Sequence, residues 1–227
     1  MHDAEQEAGQ RRGRRPLLTM RLSIKPEPDL LMNATMLLRG CGRLLMMTLF
    51  GLTLVAAAPG WAQTVRLSTS LGDIDLALHA DKAPATVANF LAYVNAQHFD
   101  GLIFHRVIAN FMVQTGGYTA NLQQRPTRQP IALESDNGLT NVRGSVAMAR
   151  TADPQSATSQ FYINVVDNPF LDKANARDGK GYAVFATVTA GLEVVEQVRA
   201  VPVAAQGLFA HLPSTPVTII RARVLQP

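Results

Sequence analysis

Apolar and polar residues alternate from Val65 to Ser70 and again from Ile74 to Leu78, on either side of Leu71-Gly72-Asp73. Successive strand side chains point to opposite faces, so this alternation predicts two half-buried strands joined by a tight turn. The period then changes. Pro84 suits the first turn of a helix, and Val87, Phe90, Leu91 and Val94 recur at i, i+3, i+4 and i+7, which predicts an amphipathic helix over 84–97. Leu102 to Ile108 and Phe111 to Gln114 are dense in β-branched and aromatic residues, are separated by Ala109-Asn110 and end at Gly116-Gly117. They read as two further strands.

From Tyr118 to Arg143 the chain is polar and punctuated by Pro126, Pro130 and Asn137-Gly138, which predicts loop. Strand signals return at Ser145 to Ala149, Phe161 to Val165, Ala183 to Thr187 and Pro216 to Val224, while Leu192, Val195 and Val198 mark a short second helix. Strands in this number, with two helices and no βαβ alternation, predict a mainly β fold: a closed eight-stranded antiparallel β-barrel capped by two α-helices.

Composition divides the 227 residues near Ala62. Six of the eight Met, the one Cys (Cys41) and the one Trp (Trp61) lie before residue 63. Residues 1–62 hold eight Lys/Arg and five Asp/Glu, which leaves 13 against 12 in the remainder. A domain so near neutrality has no electrostatic footprint for nucleic acid. Leu44 to Ala58 is an uncharged apolar run of 15 residues, preceded by Arg39 and Arg43 and followed by Pro59-Gly60-Trp61-Ala62. That is the layout of a secretory signal peptide, shorter than the roughly 20 residues that span a bilayer. The expected organisation is an N-terminal extension over 1–35, non-native or disordered, with Met36 as the true start; a signal peptide over 36–62, cleaved after Ala62; and one domain over 63–227. A retained anchor is the alternative, because marginal apolar runs can insert when tilt or thinning helps.

Candidate chemistry is narrowed first by what the sequence does not group together. His79, His98, His105 and His211 are scattered without metal-ligand spacing, so neither a metal nor a cofactor is expected. No Gly-x-Ser-x-Gly turn or mature cysteine offers a nucleophile, and Gly116-Gly117 lacks the spacing of a phosphate cradle. An enzyme here works without metal, cofactor or covalent intermediate. Met112 with Gln114, and Gln160 with Tyr162, differ by two positions and share a strand face. A face that mixes polar and apolar groups suits a groove better than a core. His105 neighbours Arg106 and points away from it.

Phe104-His105-Arg106-Val107-Ile108, Phe111-Met112-Val113-Gln114, Ala147-Met148-Ala149 and Ser159-Gln160-Phe161-Tyr162-Ile163 follow in order, then Asn168-Pro169-Phe170-Leu171-Asp172 and Gly181-Tyr182-Ala183-Val184-Phe185. This set resembles the signature of the cyclophilin family of peptidyl-prolyl cis-trans isomerases over essentially all of residues 63–227. Asp136-Asn137-Gly138-Leu139, Arg150-Thr151-Ala152-Asp153 and Ser156-Ala157-Thr158-Ser159-Gln160 are similar to the periplasmic isomerase A subgroup of Gram-negative bacteria. The resemblance implies catalysis by Arg106, a proline pocket walled by Phe111, Met112, Tyr162 and Leu171, and substrate backbone held by Gln114, by main-chain groups of Ala149 and Arg150, and by Gln160. Phe170 and Tyr182 stand at the rim.

The family pattern usually has Pro-Gly at Ala109-Asn110, Gly at Thr115 and Phe at Tyr162. Phe170 and Tyr182 replace the Trp and His of eukaryotic members, which implies only weak cyclosporin binding. The partners implied are proline-containing unfolded or partly folded polypeptides in the periplasm, met by a monomer that has no membrane contact after signal cleavage. Two other readings stay open: a holdase for extended chains with vestigial isomerase activity, and a small-ligand carrier, which would need an apolar barrel lumen and no arginine-centred groove outside it.

Overall fold

In the computed structural model, which describes residues 63–225, the two alternating runs form β1 (Thr64–Thr69) and β2 (Gly72–Leu78). Val65, Leu67, Ile74, Leu76 and Leu78 all point inward, and Leu67 sits opposite Ile74. Six more strands join them: β3 (Arg106–Ile108), β4 (Met112–Thr115), β5 (Ser145–Met148), β6 (Phe161–Asn164), β7 (Val184–Ala190) and β10 (Ile219–Leu225). Their order is β10-β1-β2-β7-β5-β6-β4-β3, and every pairing is antiparallel. The expected segment 1–35 and the expected signal over 36–62 lie outside the described residues.

The sheet curls until its two edges meet, but not along a continuous ladder. Ile219 N–H donates to the Leu102 carbonyl at 2.8 Å, Phe104 N–H to Val217 at 2.9 Å and Gly101 N–H to Ile219 at 2.7 Å. The seam is therefore made by residues 101–104, of which 102–104 are expected from the sequence to lie inside one long strand over Leu102–Ile108. That segment pairs first with the β10 side and only from His105 onward with β4, so the ladder is interrupted and the barrel is closed only approximately.

Helix α1 (Pro84–Asn95) places Pro84 in its first turn and buries Thr86, Val87, Phe90, Tyr93 and Val94. Its exposed N–H groups are capped from the long loop: Glu134 accepts from Ala85 N at 3.1 Å, from Thr86 N at 2.8 Å and from the Thr86 hydroxyl at 2.7 Å. A carboxylate there satisfies orphan donors and complements the helix dipole. The helix ends two residues before the expected boundary. Gln97 takes φ +55, while its N–H and that of His98 return to the carbonyls of Val94 and Tyr93. This is a Schellman stop with Gln where Gly is usual.

Phe90 fills the lumen, with ring centroids 5.3 Å from Phe99, 5.4 Å from Phe161 and 5.1 Å from Phe185. Removing such a ring opens a cavity and costs about 3–5 kcal/mol. Helix α2 (Leu192–Arg199) buries Val194, Val195 and Val198. A separate hairpin, β8 (Val203–Gln206) with β9 (Phe209–Pro213), carries no signal in the residue pattern. All four residues of β8 are exposed, so it shows no apolar alternation.

Candidate active site

Directly paired residues of neighbouring strands share a face. Arg106 pairs with Gln114, Gln114 with Tyr162 and Tyr162 with Ala147, so the row crosses β3, β4, β6 and β5. Their sequence neighbours Val107, Val113, Ile163 and Val146 belong to the lumen core. The Arg106 row must then lie on the outer wall. There a second, smaller cluster of Met112, Ala147, Tyr162, Leu171 and Val184 is buried, with Phe111, Ala149 and Tyr182 packed around it. Sequence could not tell these residues from core, and in a sense they are core, but of a separate patch on which a cavity rests.

That cavity, about 160 Å³, is lined by Arg106, Phe111, Met112, Gln114, Ala149, Arg150, Tyr162, Leu171 and Tyr182. Gln160 lies just beyond it, donating nothing to the wall but accepting from Gln114 Nε2 at 2.9 Å. Phe170 also stays outside the cavity. It is 55% exposed and its ring stacks beside Phe111 with centroids 5.6 Å apart. The structure thus gathers the eleven candidates into one neighbourhood, nine of them on a common concave surface.

Arg106 is half-buried and makes no salt bridge among the described residues. Its Nη1 donates to Gln114 Oε1 at 3.3 Å and approaches Met112 Sδ at 3.6 Å, and Cζ lies 5.7 Å from the Phe111 centroid. Burial lowers its pKa from the ordinary value, but an arginine remains protonated. Nε and Nη2 have no protein acceptor among the described residues, so the fork offers donors toward the cavity. Gly117 leaves the room that Gln160 needs: a Cβ there would lie 2.8 Å from the Gln160 side chain.

The Ala149 N–H donates to the Gln160 carbonyl at 2.9 Å. The Ala149 carbonyl and the Arg150 N–H find no partner among the described residues, and both residues line the cavity. Tyr162 is 4% exposed, and burial raises its pKa well above that of a free phenol. Its hydroxyl donates to Asn141 Oδ1 at 2.9 Å, and Asn141 donates from N and Nδ2 to Asp172 at 2.7 and 2.8 Å. The extra oxygen relative to Phe is thereby satisfied beneath the cavity floor.

The other departures lie away from the cavity. Thr115 is fully buried and its hydroxyl donates to the Ile103 carbonyl at 2.9 Å, tying β4 to the seam. Ala109 and Asn110 form the exposed turn between β3 and β4. His105 points away from Arg106 as expected; it stacks on Tyr118 with centroids 4.8 Å apart, and burial pushes its imidazole down to about 4. What the sequence reading missed is the Arg150 side chain, for which only the main chain had been assigned a part. Its guanidinium is 3% exposed and pairs with Asp178, a partner in a loop without periodicity.

Residues 64–224 match the model of the cyclophilin type peptidyl-prolyl cis-trans isomerase family. Peptidyl-prolyl cis-trans isomerase A of Dickeya dadantii is 47% identical over 179 residues, covering 77% of this chain and 93% of that protein. Peptidyl-prolyl cis-trans isomerase cyp18 of Streptomyces antibioticus is 51% identical over 163 residues, or 71% of this chain and 98% of its own. The fold is shared with a cyclophilin type isomerase of Cryptosporidium parvum, at a TM-score of 0.61 and 23% identity, over 73% of this chain and 98% of that one. Fold, motif order and the extent of these matches agree, and the chain belongs to the family of cyclophilin-type peptidyl-prolyl cis-trans isomerases.

Proposed function

We propose that this isomerase accelerates rotation about X-Pro bonds in unfolded or partly folded exported polypeptides, with Arg106 as its catalytic residue. The observation that carries this reading is a half-buried guanidinium, free of any described acidic partner, at the edge of an apolar-floored cavity. Rotation is slow because amide resonance must be lost, and uncatalysed exchange takes tens to hundreds of seconds. No bond is broken. In the twisted amide the prolyl nitrogen becomes pyramidal and a better acceptor, and Arg106 donates toward it and the adjoining carbonyl oxygen. Phe111, Met112, Tyr162 and Leu171 hold the pyrrolidine. Gln114, steadied by Gln160, and the main chain of Ala149 and Arg150 hold the flanking backbone. Interactions stronger in the twisted state than in either planar one lower the barrier without a tuned pKa.

The substrate chain is met as a monomer in the periplasm, after cleavage at Ala62. The apolar run Leu44–Ala58, its preceding arginines and the small-residue site support export. No helix among the described residues is long and apolar enough to cross a membrane. Cyclosporin binds weakly, because Phe170 presents no indole N–H.

NMR exchange on a prolyl peptide, or a protease-coupled peptide assay, tests the activity. Acceleration at catalytic protein concentration is expected. Binding of unfolded chains without acceleration would replace this reading with that of a holdase. Intact mass of the periplasmic protein should match the 165 residues from Gln63, which contain no Trp. A membrane-bound product that retains 44–58 would show an anchor instead.

A further inference from the structure

We infer that Arg150 and Asp178 form a strut that sets the width of the substrate cavity by holding Tyr182 in place, making Arg150 a positioning residue. This rests on the reading of that cavity as the prolyl site.

The two walls of the cavity come from different parts of the chain. One is the segment Ala149-Arg150 that leaves β5. The other is formed by Leu171 and Tyr182, at the two ends of a loop over 172–181. Tyr182 N–H donates to the Leu171 carbonyl at 3.0 Å, which closes the base of this loop. The Arg150 guanidinium reaches across from the first wall to the second. Nε donates to the Gly181 carbonyl at 3.0 Å, Nη1 to the Thr151 carbonyl at 3.0 Å and Nη2 to Asp178. Its Cζ lies over the Tyr182 ring, 4.5 Å from the centroid, and that ring meets Tyr162 edge-on at 5.9 Å.

Asp178 is fixed on the loop side. Its Oδ1 accepts from Lys180 N at 2.9 Å and Gly181 N at 3.2 Å while Oδ2 takes Arg150. These bonds, led by that from Lys180, hold its pKa down at about 2. Gly181 takes φ +66, and a Cβ on it would lie 2.6 Å from Lys173 N and 2.8 Å from the Leu171 carbonyl, so the two ends of the loop pack against each other at its base. An arginine side chain 3% exposed, with all three nitrogens engaged and its face on an aromatic ring, is a rigid spacer. A lysine could keep the charge but not the fork or the stack.

A wall held at the correct distance favours binding of the planar and twisted substrate alike. Its loss should therefore raise KM and leave kcat nearly unchanged. The test is a double-mutant cycle in the full mature protein, with kcat and KM measured by NMR exchange on one prolyl peptide. Asp178→Asn and Arg150→Lys should each raise KM about three- to tenfold, the range for losing one ordinary hydrogen bond or one stacked cation at a partly exposed site. In a Tyr182→Leu background the same changes should add little, because the strut acts through that ring. Tyr182→Phe, which keeps the ring, should retain the coupling. Additive effects, or loss of kcat at unchanged KM, would overturn the proposal. Should Arg150→Lys fail to fold, the Asp178→Asn arm decides alone. Arg106→Ala run alongside separates the cases: full activity there would fault the prolyl-site reading and not the strut.

Discussion

Arg106→Ala should separate activity from stability more cleanly than any other single change in this chain. In the free protein the side chain makes one hydrogen bond, to Gln114 at 3.3 Å, one sulfur contact at 3.6 Å and a cation–aromatic approach at 5.7 Å. A hydrogen bond contributes about 0.5–1.5 kcal/mol and a part-exposed cation–π contact about 0.5–1 kcal/mol. Removal also relieves the desolvation of a half-buried charge, which offsets part of that loss. The net destabilisation should be about 1 kcal/mol, or about 2–4 °C in Tm for a domain of this size. If Arg106 is the catalytic residue proposed above, its donors bind the twisted amide more tightly than the ground state, and deleting one such donor should cost about 10²- to 10³-fold in kcat, or about 2.7–4 kcal/mol. Arg106→Lys should recover little of the rate, since an ammonium lacks the planar donor pair. The assay pairs NMR exchange on a prolyl peptide with urea melts of each variant. An alanine variant that melts like wild type and turns over at a near-wild-type rate would refute the mechanism. One that unfolds would return Arg106 to a structural part.

Three further outcomes follow from the geometry. Phe170→Trp should tighten cyclosporin inhibition, because the exposed ring beside Phe111 would gain a larger face and an N–H donor; unchanged inhibition by a folded variant would remove Phe170 from the ligand rim. His105 titrates at about 4 in the folded state, below the ordinary value of about 6.5, so the unfolded chain takes up its proton first. Stability should be fully present above about pH 6.5, fall by about 3 kcal/mol as pH drops from about 6.5 to about 4, and change little from this group below that, and an NMR titration midpoint near 6.5 for this ring would contradict its burial. Thr115→Gly should lower stability by about 1–2 kcal/mol through the lost bond to Ile103 and a looser strand, with kcat/KM unchanged within about twofold. A large loss of activity in denaturant-free buffer would place Thr115 in the site after all.

β1 and β2 were legible because each has one face on the lumen and one toward solvent, which writes a period of two, whereas β5 and β6, buried at every position, were legible as short apolar runs bounded by polar loop. Legibility failed where a buried run carries no internal boundary or a strand carries no buried residue. Leu102, Ile103, Phe104 and His105 are all buried, so nothing marked where the segment changes partners. β8 has no buried residue and therefore no pattern. The end of α1 was misplaced because Gln97, not Gly, occupies the left-handed position. In the site, strand spacing already put Met112 with Gln114 and Gln160 with Tyr162. The Arg150–Asp178 pair was not readable, since 28 residues separate its members and Asp178 lies in a loop whose path only the folded chain defines.

A lumen filled by Phe90, Phe99, Phe161 and Phe185 leaves the working surface on the outside of the barrel. A polypeptide lying across the Arg106 row therefore has both of its ends in solvent, and nothing needs to be threaded. On the proposed reading of this cavity as the prolyl site, a proline far from either terminus would enter and leave it without the barrel opening. Access would then depend on whether the prolyl segment protrudes from its own chain, and a nearly folded polypeptide with one exposed loop would meet the same geometry as an unfolded one.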